Sequence, residues 1–101
     1  MAPAPTADAF VAVSPGVYRV QAPLTFASVA ALREYGLKLV HGAQTLTFEL
    51  QAVPAVDSAG LALLVDWLAA AKSRSCALRY VGPSKTLISL ARLSDVEKLI
   101  A

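Results

Sequence analysis

A chain of 101 residues, 56% hydrophobic and 16% charged, has room for one domain and a modest core. Nine Lys and Arg against seven Asp and Glu give a net charge of +2. The basic residues form no run along the sequence, and no basic-aromatic pattern of an RNA-binding sheet is present, which argues against nucleic acid.

The single cysteine, Cys76, has no internal disulfide partner and fits a reducing compartment. No apolar run reaches the roughly 18–20 residues of a membrane span, so direct insertion is not expected.

Residues 1–8 are rich in Ala and Pro and lack a basic n-region, and are read as a flexible tail before a domain over 9–101. Residues 10–13 have strand character, Ser14-Pro15-Gly16 is a turn signal, and 17–21 alternate as a half-buried strand. The two form either a hairpin or successive edge segments, and Pro23 ends the second. Thr25 is placed to cap a helix from Phe26 to about Val40, with Val29, Leu32, Gly36 and Leu39 at helical spacing. Gly36 weakens such a helix by about 1 kcal/mol relative to Ala. His41-Gly42 ends it, and His41 is read as a surface residue favourable to the helix dipole, since no second metal ligand lies nearby.

Residues 44–50 give the clearest strand, with Leu46, Phe48 and Leu50 on one face and Thr45, Thr47 and Glu49 on the other. After a loop containing Pro54, residues 58–73 form the clearest helix, capped by Asp57 or Ser58, with a core stripe of Leu61, Leu64, Val65, Leu68 and Ala71. Residues 76–81 are another apolar strand, in which Cys76 is a small core residue. Ser84 caps a helix carrying Leu87, Leu90 and Ala91. Ser94-Asp95-Val96-Glu97 reads as a capping box before a last short helix to Ile100. Strands alternating with helices predict an α/β domain with a mixed, mostly parallel sheet of four or five strands and about four helices.

No Walker loop, dinucleotide fingerprint, Cys/His cluster or Gly-x-Ser-x-Gly elbow occurs, and His41 has no evident route to a serine nucleophile. The expectation is a protein that is not an enzyme, with no metal and no cofactor. The informative stretch is Val56-Asp57-Ser58-Ala59-Gly60-Leu61-Ala62-Leu63-Leu64. Asp57 and Ser58 sit where helix amide groups point outward, a place that favours an anion, including a phosphate on Ser58. Gly60 permits close backbone approach. The plainer reading is that Asp57 and Ser58 are only a helix cap. On the same helix, Ala59, Leu63, Trp67 and Ala70 fall on a face flanking the core stripe. Leu63 and Trp67 then either anchor a partner or are covered by the next helix.

Asp57-Ser58-Ala59-Gly60-Leu61-Ala62-Leu63-Leu64, on a strand–loop–helix followed by a strand and a shorter helix, resembles the signature of STAS domains. These are shared by anti-sigma-factor antagonists and the tails of sulfate transporters. Ala59 departs from the usual Ser or Thr at the third position. Leu24-Thr25-Phe26, the run from Gly60 into Asp66-Trp67-Leu68, and Leu90-Ala91 with Leu93 are most similar to the small stand-alone subunit of Mla-type phospholipid-transport ABC systems of Gram-negative bacteria. The resemblance implies the STAS (SpoIIAA-like) fold and a non-catalytic cytoplasmic accessory protein. Its partner would be the transporter's ATPase subunit, alongside the membrane permease. The binding surface is expected at Asp57, Ser58, Ala59, Gly60, Leu63 and Trp67. The alternative is an anti-sigma-factor antagonist switched by phosphorylation of Ser58.

Overall fold

The computed structural model describes residues 9–100, so the expected tail over 1–8 lies outside the described residues. Strands β1 (Phe10–Ser14) and β2 (Val17–Val20) are followed by helix α1 (Val29–His41), strand β3 (Thr45–Glu49), helix α2 (Ser58–Ser73) and strand β4 (Ala77–Val81). Helices α3 (Lys85–Leu93) and α4 (Glu97–Ile100) close the chain. The sheet has four strands in the order β1-β2-β3-β4. β1 and β2 are an antiparallel hairpin turning at Gly16 (φ +75), and β2, β3 and β4 run parallel.

The alternation of β3 decides which face is buried. Leu46 and Phe48, with Leu50 just beyond the strand, are buried, while Thr47 and Glu49 are half-exposed. Register aligns Tyr18, Phe48 and Tyr80 across three strands, so one sheet face is apolar throughout. The other face carries Arg19, Thr47, Glu49 and Arg79, with Arg19 Nε 3.3 Å from Glu49 Oε1. Trp67 fills the centre of the core, its ring 5.4 Å from Phe48 and 5.8 Å from Phe10. The Tyr80 hydroxyl donates to the Leu64 carbonyl at 2.6 Å. Burial, with the nearby charge of Asp66, pushes this phenol well above its ordinary pKa and keeps it protonated.

Gly36 is explained by Trp67. A Cβ on Gly36 would lie 2.3 Å from Trp67 Cε2, so the glycine costs helix propensity but admits the indole. The Trp67 Nε1–H donates to the Arg33 carbonyl at 3.2 Å, satisfying the indole's polar group.

Two expectations fail at helix starts. α1 begins at Val29, not Phe26, and Thr25 does not cap it. The Ser28 hydroxyl accepts the Thr25 N–H at 3.0 Å, and Ser28 and Val29 both donate their N–H groups to the Thr25 carbonyl. Residues 25–28 are therefore a turn. The Ser94–Glu97 capping box also does not form. Ser94 N–H donates back to Leu90, Asp95 takes φ +59, and the Glu97 carboxylate accepts from Arg92 Nη2 at 2.8 Å. Ser94 and Asp95 thus end α3 instead of starting α4.

Candidate functional site

The head of α2 is built on a short parallel pairing outside the main sheet. Leu24 bridges Val56, Leu24 N–H donates to Ala55 O at 2.8 Å, and Asp57 N–H donates to Leu24 O at 3.1 Å. This brings the backbone of residue 24 hard against α2. A Cβ at Gly60 would lie 1.9 Å from the Leu24 carbonyl oxygen, so only glycine fits there.

Asp57 closes the clasp with both carboxylate oxygens. Oδ1 accepts the Gly60 N–H at 3.1 Å, the N-cap bond of α2, and Oδ2 accepts the Phe26 N–H at 3.0 Å. Asp57, not Ser58, is therefore the cap. The Phe26 amide first, and the Gly60 amide next, hold the Asp57 carboxyl below its ordinary value. With Asp57 committed to backbone amides, Ser58 is left exposed on the first turn.

Phe26, whose amide Asp57 fixes, is 83% exposed. A large apolar side chain is thus left exposed on a backbone whose amide is fixed, where the sequence predicts a helix start. Two shallow grooves flank the α2 head. One, of about 450 Å³, is lined by Val29, Ala30, Arg33, Ala59, Ala62, Leu63 and Asp66. Its end is closed by the ion pair of Arg33 Nε with Asp66 Oδ2 at 2.8 Å. The other, of about 270 Å³, is lined by Ser58, Leu61, Ala62, Val65, Ser94 and Val96. Exposed Leu93 lies beside Ser94 in sequence. No signal in the sequence placed Val29 or Ala30 beside Ala59, or Val96 beside Ser58, because loops and helices of unpredicted direction bring them there.

Three expected contact residues fall elsewhere. Leu63 is 5% exposed and only its edge floors the first groove, and Trp67 is fully buried. α1 covers both, so Trp67 is a core residue and not a surface anchor. Gly60 is buried under Leu24. Ser58 is exposed, and Asp57 and Ala59 are half-buried. Among the described residues, no group of three or more His, Cys, Asp or Glu could hold a metal ion. No helix among them is long and apolar enough to cross a membrane.

The sequence model of the family described as Mlab, STAS domain, matches residues 12–101. The chain belongs to this STAS family. Its fold is similar to a solved structure of the anti-sigma factor antagonist SpoIIAA in its unphosphorylated form. That similarity has a TM-score of 0.71 at 16% identity, over 91% of this chain and 84% of that one. No curated protein matches the sequence. In this STAS domain, the Asp57-Ser58 signature is thus a cap bonded to two backbone amides and followed by an exposed hydroxyl residue beside two shallow, largely apolar grooves.

Proposed function

We propose that this STAS domain, residues 9–101, is a non-catalytic cytoplasmic accessory subunit of an Mla-type phospholipid-transport ABC system. It binds the ATPase subunit through the head of α2 and supports the transporter's assembly or activity. The observation that carries this reading is the exposed surface formed by Ser58, Phe26 and the two shallow apolar grooves around a backbone locked by Asp57. A rigid, largely apolar patch with few polar groups is suited to protein docking, because little ordering entropy is lost on binding. Match to the MlaB-type family supports the choice of partner. The hydroxyl of Ser58 is a contact at the rim of this patch.

A second reading has its own support. Ser58 is exposed at a helix N-terminus, where a phosphate is electrostatically favoured, and the fold is that of an anti-sigma factor antagonist. Phosphorylation there would add about −1.5 to −2 charge to an apolar docking face and expel its partner. Affinity capture of the tagged protein from its native cells separates the two. An ABC ATPase with its permease supports the transporter subunit; a serine kinase, with phosphate on Ser58, supports the switch.

A further inference from the structure

We infer that the end of the molecule opposite Ser58 is a basic face that docks on an anionic lipid surface. Four cations, from two helix ends and a strand, converge there. In the parallel crossovers, α1 and α2 both finish where β3 and β4 begin. Ala77 N–H donates to Gln44 O at 2.8 Å, and Thr47 N–H donates to Gly16 O at 2.8 Å. These bonds tie the last turn of α1, the last turn of α2 and the tip of the β1–β2 hairpin to one end. α2, of 16 residues, spans roughly 24 Å from Ser58 to this end.

Lys38 and His41 lie in the last turn of α1, and Lys72 and Arg74 at the close of α2. Arg79 stands on the uncovered sheet face beside Thr47. All are exposed. Most of the described acids are engaged elsewhere. Glu34, one turn back along α1 from Lys38, leans on Arg33 at 3.6 Å, and Asp66 also holds Arg33. Glu49 pairs with Arg19, Glu97 with Arg92, and Asp57 with backbone amides. Asp95 follows Ser94, which shares a groove with Ser58. Among the described residues, the positive excess is therefore concentrated at this one end.

The helix dipole explains a cation at each helix C-terminus but not Arg79, which is on the sheet. It also disfavours a single phosphate seated against either helix end, so this is no walled anion site. Long cationic side chains spread over two helix ends and a sheet face suit an extended anionic plane. Exposed Pro15 and Val13, the latter 45% exposed, sit at the hairpin tip on the same end. Apolar tips beside cations match the boundary of lipid headgroups and acyl chains better than they match an acidic peptide. The inference holds whichever partner occupies the Ser58 end.

Co-sedimentation of the purified chain with vesicles tests it, using phosphatidylcholine alone and phosphatidylcholine with about one-third phosphatidylglycerol. Binding to the anionic vesicles alone, released by raising salt, is expected. Lys72→Gln weakens it about fivefold and Lys72→Gln/Arg74→Gln by about the square of that. Lys85→Gln, an equal charge loss at the other end of the sheet, leaves it unchanged. Equal partition onto both vesicles, or equal loss in Lys85→Gln and Lys72→Gln, overturns the inference. Retention on poly-glutamate without vesicle binding overturns it in favour of an acidic protein segment. The salt titration of the unmodified chain reads the same interaction without any variant that must fold.

Discussion

At the scale of single residues, two glycines and one aspartate do the positioning. Gly60→Ala forces a methyl into the Leu24 carbonyl oxygen, a backbone atom that cannot swing aside as a side chain could. The expected cost is at least the ~1–3 kcal/mol of an overpacked core, read from the urea midpoint; an unchanged midpoint contradicts the close approach. Leu63→Asp and Leu64→Asp are expected to destabilise alike, since the two leucines are 5% and 0% exposed. A Leu63→Asp variant melting close to wild type would return Leu63 to the surface. Asp57 carries a pH signature. Its folded pKa lies below the ordinary value of 3.8, so its contribution is fully present above that value and is lost as pH falls through the folded value. The stability gap between wild type and Asp57→Asn is therefore expected to hold between pH 7 and 5 and to shrink below about pH 4. A gap independent of pH would show that the carboxylate charge does not hold the two amides.

At the scale of elements, most of the architecture was legible because hydrophobic period and turn chemistry agreed. β3 alternates without interruption and α2 is capped by Asp57 at one end and runs through Ser73, both as the residues indicate. Ser84 caps α3 through the Leu87 N–H at 3.1 Å, again a local signal read correctly. The failures share one cause: other groups take the partners these caps need. The Ser28 N–H that a Thr25 side-chain cap would accept goes to the Thr25 carbonyl, and the Glu97 carboxylate goes to Arg92. Trp67 and Leu63 were open to a surface reading because helix periodicity gives two apolar faces to α2 without saying which neighbour covers the second. Gly36 was the missed clue. A glycine in a helix interior marks a place where a large side chain, here the Trp67 indole, presses on the backbone.

At the scale of the whole molecule, the fold separates two ends of different character. The α2 head joins an exposed Ser58 and Phe26 to shallow apolar grooves, and the far end gathers Lys38, Lys72, Arg74 and Arg79. The signature stretch made the first end visible in sequence. The second was less visible, because Lys38 joins Lys72, Arg74 and Arg79 only through the topology. The central claim is that the α2 head docks a transporter ATPase, and Ser58→Arg tests it most directly. Ser58 is exposed and Asp57 carries the cap, so the variant is expected to melt as wild type does. Capture from native cells should then yield the ABC ATPase and permease with the unmodified chain and neither with Ser58→Arg. Capture of the ATPase by both forms alike, with matching melts, would contradict the account.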